Sequence, residues 1–257
     1  MTHAVLHKAL GQAVKWNMIV RNVSDAVEKP KTSRKTMQVL DADGVTKLLQ
    51  AASDDRLHAL YVIAVATGLR QGELLGLHCE DVDLNNAALT VRRALSEDAG
   101  VFRLGEPKTS KGRRRVDLPE FAVVALREHR KRMLAEGTPR PWVFCDTTGN
   151  PLRKSNLIRR SFKPLLKKAG LPDIRFHDLR HTAATKMAEA GVSESTMLAL
   201  MGHMSRAMLE RYSHVRMAAK RSAVEALSLT TLAVTADSST PHAQPGALCP
   251  AVANRTI

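Results

Sequence analysis

The hydrophobic pattern of this 257-residue chain has a helical period except in one region, and this exception limits the possible fold most strongly. Apolar residues recur at helical spacing over most of the chain, whereas segments 89–93 and 115–118 alternate as strands do. Turn-forming residues separate the two segments. The pattern predicts an α+β, mainly α-helical fold with a small three-stranded antiparallel sheet between residues 87 and 118.

The segments on either side of this sheet predict a series of helices. Asp41 is placed to cap a helix that runs to about residue 52, and Pro119 is placed in the first turn of another. Tyr61 falls in an almost wholly apolar helix, so we expect it in the core. The predicted helices span residues 3–21, 42–52, 58–66, 71–77, 119–136, 154–169, 178–190, 194–201, 205–213 and 216–227.

Composition divides the chain into three parts. A Lys-Pro-Lys break at 29–31 separates a first segment, residues 1–30, which is too short to be a domain and looks like the last helix of something larger. Residues 35–228 are expected to form one domain. Residues 229–257 are rich in Ser, Thr, Pro and Ala without periodicity, so we expect a disordered tail there.

The charge balance indicates a polyanionic partner. A formal net charge of +14 with a pI near 10.1 attracts nucleic acid or an anionic surface. Aromatic residues, which single-strand binders use for stacking, make up only 4% of the chain, and this favours duplex DNA. The chain lacks a run of ~20 apolar residues, and its three cysteines are scattered. We therefore expect a cytoplasmic protein with no membrane partner.

Two arginines, two histidines and a tyrosine occur in a fixed order, and four of these five residues lie between residues 177 and 212. Arg70 lies in an upstream motif, His177 and Arg180 are three residues apart, and His203 precedes Tyr212 by nine residues. Guanidinium groups can hold both non-bridging oxygens of a phosphate and neutralise the charge of its transition state. Histidines can donate hydrogen bonds to the same phosphate or transfer a proton, and the phenol of a tyrosine can attack the phosphorus.

A leaving alkoxide in such a reaction needs a proton donor. The loop at 107–113 offers Lys108 and Lys111, and spacing alone does not choose between them. Taken singly, each of these residues has an ordinary structural explanation, as a surface charge, a helix cap or a core side chain. Their joint order and spacing carry the functional interpretation.

The motifs together resemble the catalytic domain of the tyrosine recombinases of the phage integrase type. The resemblance covers roughly residues 35–228 and rests on five segments, which are TGLRQGEL (67–74), PKTSKGRRRV (107–116), HDLRH (177–181), MGH (201–203) and RYSH (211–214). It implies a site-specific recombinase or integrase that cleaves and rejoins duplex DNA. It also implies that residues 1–30 carry the last helix of an N-terminal core-binding domain.

The resemblance further implies a role for each matching residue. Tyr212 would attack the scissile phosphate, form a 3′-phosphotyrosyl link and release a 5′-hydroxyl. Lys108 would protonate the leaving oxygen, and Glu73 would orient its neighbours. The phosphate would be bound by the four remaining residues of the pattern, with His177 also assisting proton transfer: Arg70, His177, Arg180 and His203.

Relatives of this kind need neither ATP nor a metal and act as tetramers on double-stranded DNA, without a small-molecule substrate. We therefore expect no cofactor and a homo-tetramer on DNA. The alternative is a truncated, non-catalytic DNA-binding remnant or regulator with the same fold, because only the last helix of the first domain is recognisable. A third reading is a type IB topoisomerase, but its larger flanking domains are not recognisable.

Overall fold

The computed structural model describes residues 2–28, 37–98, 100–105, 112–137 and 141–202, together with residues 204, 208, 210, 212, 217, 221, 224 and 225. They fall in two compact units, Met1–Met37 and Gln38–Ile257. Within these ranges, none of the helices is both long and apolar enough to cross a membrane. Most residues of the predicted helices at 205–213 and 216–227, and the whole tail at 229–257, lie outside the described residues.

The first unit contains helix α1 (Thr2–Lys15) and a short 3₁₀ turn (Val23–Ala26). The helix ends six residues before the predicted end at residue 21. Asn17 has a φ of 57°, in the left-handed region, and this conformation ends the helix. The Asn22 side chain then accepts a hydrogen bond from the backbone of Ser24 and donates one to the carbonyl of His7.

The second unit is mainly helical, as predicted. Its helices are α2 (Ala42–Ala51), α3 (His58–Thr67), α4 (Gln71–Leu75), α5 (Glu120–Ala135), α6 (Lys154–Asn156), α7 (Lys163–Lys168), α8 (Phe176–Glu189) and α9 (Glu194–Met201). A π-helical segment, Leu157–Phe162, joins α6 to α7, so the helix predicted at 154–169 is continuous but wider in its middle. Asp41 caps α2, as predicted, because its Oδ1 accepts from Gly44 N at 2.7 Å.

Helix α3 forms the centre of the core and packs against α5 and α8. Its residues Leu60, Tyr61 and Ile63 are fully buried. The prediction that Tyr61 is a core residue is confirmed, and its hydroxyl hydrogen-bonds to Ser161. Because α3 is apolar on all sides, it holds a fixed place between its neighbours, and the residues that follow its carboxyl end are fixed with it.

The three-stranded antiparallel sheet is confirmed, but one of its strands was misplaced. The sheet has the order β1 (Val82–Asp83), β2 (Ala88–Val91), β5 (Arg114–Asp117), so its third strand precedes residue 87. Strands β3 (Ala94–Asp98) and β4 (Val101–Gly105) form a separate hairpin. A two-residue strand such as β1 is too short to show alternation, which explains the error. Residues 106–111, between β4 and β5, lie outside the described residues.

Candidate active site

The carboxyl end of α3 provides the first anchor of the site. Gly68 ends the helix with a φ of 62°, a conformation that side chains rarely adopt. A Cβ atom at Gly68 would also lie 2.4 Å from the terminal methyl of Met201 and 3.1 Å from Cβ of Ala183, so a larger residue would have to displace these neighbours. The freed carbonyl of Gly68 accepts a hydrogen bond of 2.6 Å from the Arg180 guanidinium. This bond fixes α8 against the end of α3.

The next residues bring Arg70 and Glu73 together at the start of α4. Arg70 is the N-cap of this helix, and Glu73 occupies its third position. Glu73 Oε2 accepts from the backbone N–H of Arg70 at 3.0 Å, while Glu73 Oε1 accepts from the Arg70 side chain at 2.9 Å. The carboxylate therefore caps the helix and orients the arginine at the same time.

Arg114, on strand β5, holds the opposite side of the same carboxylate. Its guanidinium donates to Glu73 Oε2 at 2.8 Å and to Glu73 Oε1 at 3.2 Å. Its Nε also donates to the carbonyl of Leu200 at 2.7 Å, near the end of α9. Arg114 and Glu73 are both buried, with side chains 6% and 4% exposed. This arginine thus ties the sheet, α4 and α9 into one cluster.

The cluster carries an excess of positive charge. Three guanidinium groups, those of Arg70, Arg114 and Arg180, surround the single carboxylate of Glu73. Burial, and then the charge of Arg70, lowers the pKa of Arg180 to about 10. Burial opposes the ionisation of Glu73, but hydrogen bonds and charge from Arg114 and Arg70 hold its pKa below the usual range. Arg180 and Glu73 are therefore charged at neutral pH, and an anion would relieve the repulsion between Arg180 and its neighbouring arginines.

Helix α8 begins two residues before the predicted start at residue 178. Asp178 is its third residue and accepts from the backbone N–H of Arg175, the N-cap, at 2.9 Å. Burial opposes the ionisation of this carboxyl group, but its bonds to Arg175 lower its pKa. Asp178 is thus an internal cap for the first turn, and the turn starts at Phe176 for this reason.

His177, His181 and Tyr212 form the other side of the site. His177 is exposed, and its ring meets that of His181 edge to face, with 5.0 Å between centroids. His181 is buried, and its Nδ1 lies 3.0 Å from the hydroxyl of Tyr212, which is 2% exposed. Partial loss of hydration, and then the charge of Arg180, lowers the pKa of His177. Burial, and then the charge of His177, lowers the pKa of His181 to about 4.

The structure thus brings together five of the seven predicted site residues, which are Arg70, Glu73, His177, Arg180 and Tyr212. Lys108, Lys111 and His203 lie outside the described residues. Gly202, which precedes His203, has a φ of 71°, and a Cβ built on it would lie 3.5 Å from Nη1 of Arg70. In the part of the chain that is described, no group of three His, Cys, Asp or Glu residues could hold a metal ion.

Sequence reasoning missed two residues of this site, Arg114 and His181. Strand alternation offered a signal for Arg114, because it shares the inward face of β5 with Val116. Helical spacing offered one for His181, because it lies four residues after His177 and therefore on the same face of α8. Neither signal showed that Arg114 would contact Glu73 or that His181 would contact Tyr212.

A helical domain with a small antiparallel sheet, and with arginines and histidines gathered beside a tyrosine, has the architecture of the tyrosine recombinases. A sequence model described as the phage integrase family matches residues 38–219. The chain belongs to this family.

Similar proteins include recombinases and integrases. A "tyrosine recombinase XerC-like" protein of Caldanaerobacter subterraneus is 34% identical over 75% of this chain and 54% of its own length. The Tn1549 transposon integrase, solved with transposon right end DNA, has a TM-score of 0.71 at 25% identity, over 88% of this chain and 78% of that one. A lambda integrase tetramer bound to a Holliday junction shares the fold, with a TM-score of 0.58 at 24% identity, over 83% of this chain and 58% of that one. The chain thus spans about half the length of the first of these relatives.

Proposed function

We propose that this chain is a site-specific DNA recombinase that cleaves and rejoins duplex DNA through a 3′-phosphotyrosyl intermediate. One observation carries the proposal. The buried carboxylate of Glu73 orients Arg70 and Arg114. The Gly68 carbonyl, two residues before Arg70, holds Arg180, and Tyr212 lies against α8, the helix that carries Arg180. Such a site suits an anionic substrate and a phenol nucleophile.

The arginines would bind the scissile phosphate. Arg70 is 37% exposed at its side chain, so its guanidinium can contact DNA while Glu73 orients it. Arg180 uses one nitrogen on the Gly68 carbonyl, which fixes the plane of its fork. Two fixed guanidinium groups would stabilise the added negative charge of a pentacoordinate phosphorus, and this is where electrostatic catalysis gains most.

The remaining steps use the tyrosine and the proton donors. Tyr212 would attack the phosphorus and release the 5′-oxygen, and Lys108 would protonate this leaving oxygen. His177 and His203 would donate hydrogen bonds to the phosphate. The energy of the broken bond would stay in the phosphotyrosyl link, so the proposed reaction needs neither ATP nor a metal.

The proposed substrate is double-stranded DNA, bound by a homo-tetramer that joins two duplexes. The net charge of +14 supports binding through backbone phosphates, which would weaken steeply with salt. A Tn1549 integrase of similar fold was solved with transposon DNA, which supports the same substrate class here. We further propose that residues 35–228 form the catalytic domain and that residues 1–30 end a core-binding domain.

A nicked suicide substrate tests the proposal, because loss of a short strand traps the covalent intermediate. The substrate would be a pool of nicked duplexes with randomised arms, incubated with the protein in EDTA. We expect a covalent protein–DNA adduct that Tyr212→Phe abolishes. Tyr61→Phe is the matched control, because it removes the other tyrosine, a core residue, and should keep the adduct.

Two results would contradict the proposal. An adduct that persists in Tyr212→Phe would assign the nucleophile to another residue. Salt-sensitive DNA binding with no adduct from any member of the pool would favour the non-catalytic DNA-binding alternative.

A further inference from the structure

His181 is a buried histidine that has no role in the reaction steps proposed above. It is 7% exposed and lies on the second turn of α8, one residue after Arg180. Its Nδ1 lies 3.0 Å from the oxygen that would become the nucleophile, the Tyr212 hydroxyl. A contact at this distance between two buried polar atoms is a hydrogen bond, and it aligns the phenol directly with a ring nitrogen.

We propose that His181 is a further catalytic residue, which holds the Tyr212 phenol and accepts its proton during DNA cleavage. This inference rests on the proposed function. In the cleavage step the bond from Tyr212 Oη to phosphorus forms and the bond from phosphorus to the 5′-oxygen breaks. The phenolic proton passes to Nδ1 of His181, and the 5′-oxygen takes its proton from Lys108. During rejoining each proton returns by the reverse path.

The surroundings of His181 favour this role. The charged and titratable groups that act on it are His177, Asp178, Arg175 and Arg180, together with its hydrogen-bond partner Tyr212. Burial and the nearby positive charges lower the pKa of His181, so the ring is neutral at physiological pH. In the tautomer that carries its proton on Nε2, the lone pair of Nδ1 accepts a hydrogen bond from the Tyr212 hydroxyl. A phenol has a pKa of about 10 and is a weak nucleophile without a partner that takes its proton.

The neighbouring histidine is less well placed for this proton. His177 is exposed and meets the His181 ring edge to face, so it borders the face where DNA would approach. This arrangement gives the two rings different roles. His177 would face the phosphate and His181 would face the nucleophile, which explains why both histidines flank Arg180 on one helix.

Single-turnover cleavage of the suicide substrate tests the role of His181. General acid–base groups typically contribute 10²–10⁴-fold, so we expect His181→Ala to slow adduct formation by about 10²-fold. His181→Asn keeps a polar atom near the position of Nδ1 but is not basic, and it should also lose at least about 10-fold. His129→Asn is the matched control, because His129 is equally buried but bonds to the Val143 carbonyl outside the site.

Substrates with altered leaving groups show which proton transfer a variant has lost. A 5′-bridging phosphorothiolate departs without a proton, so it should rescue Lys108→Ala but not His181→Ala. In the rejoining direction, a 3′-p-nitrophenyl phosphate departs without a proton from His181. In a Tyr212→Phe background it should remove the defect of His181→Ala but not that of Arg180→Ala.

A measurement without DNA checks the contact itself. The ¹⁵N shift of His181 Nδ1, assigned by comparison with His181→Asn, should change in Tyr212→Phe as its hydrogen bond is lost. Adduct formation by His181→Ala and His181→Asn within about 3-fold of wild type would overturn the inference while leaving the proposed function intact. An unchanged Nδ1 shift, or rescue of His181→Ala by the phosphorothiolate, would overturn it as well. A wild-type chain that forms no adduct would instead refute the proposed function.

Discussion

Removing Arg114 should cost more stability than removing any exposed arginine of the sheet. The side chains of Arg114 and Glu73 are 6% and 4% exposed, and two bonds of 2.8 and 3.2 Å join them. Breaking a buried ion pair at one partner typically costs 3–5 kcal/mol. Glu73 keeps two bonds to Arg70, so we expect Arg114→Ala to cost about 3 kcal/mol, at the lower end of that range.

Urea unfolding measures this cost and has a neighbouring control. With a denaturant slope of about 2–3 kcal/mol/M, the midpoint should fall by about 1–1.5 M. Arg115→Ala removes the next arginine, whose side chain is 60% exposed and pairs with an 82% exposed Asp117, so it should cost under about 1 kcal/mol. Equal losses for the two variants would refute the claim that Arg114 and Glu73 form a buried structural pair.

Three other perturbations probe the cluster and its surroundings. The pKa of His181 is about 4 in the folded protein against an ordinary 6.5. The neutral ring therefore contributes to the free energy of unfolding in full above pH 6.5, and this contribution, up to about 3 kcal/mol, is lost as the pH falls towards 4. Urea midpoints across this window should show that His181→Asn flattens the pH dependence, and an unchanged slope would contradict the assignment. Gly72→Ala should lower the stability by about 1–3 kcal/mol, because the new Cβ would lie 2.8 Å from the carbonyl oxygen of Leu95. Gly105→Ala is the control, since a Cβ there meets nothing within 4 Å. Equal thermal stability of the two variants would be inconsistent with the close approach at Gly72. Arg180→Lys replaces the planar guanidinium by an ammonium group. It should slow adduct formation on the suicide substrate by about 10²-fold and leave the affinity for DNA little changed. A wild-type rate would count against bidentate phosphate binding by Arg180.

Local pattern predicted the helices well because their signals lie within a few residues. Asp41 caps α2 where the sequence placed it, and the all-apolar segment that holds Tyr61 is the central helix. The failures have local causes that periodicity does not register. Asn17 takes a left-handed conformation and ends α1 early, and the two-residue strand Val82–Asp83 is too short to alternate.

Spacing along one element predicted only pairs of site residues, and the family resemblance joined these pairs to Tyr212. His177 and Arg180 share a helix, and Arg70 and Glu73 share a turn, so their sequence motifs predicted each pair together. Contacts across the fold were different. The partner of Arg114 lies 41 residues away and that of His181 lies 31 residues away, and packing of α3, α8 and the sheet decides both contacts. No property of the local sequence fixes such distances.

The linkage of the covalent intermediate tests the central claim most directly. Adduct trapped on the suicide substrate would be digested with protease and nuclease, and the modified peptide would be sequenced by mass spectrometry. We expect a nucleotide joined through its 3′-phosphate to Tyr212, with a free 5′-hydroxyl on the released strand. A 5′-phosphate linkage, or a modification on any other residue, would contradict the account.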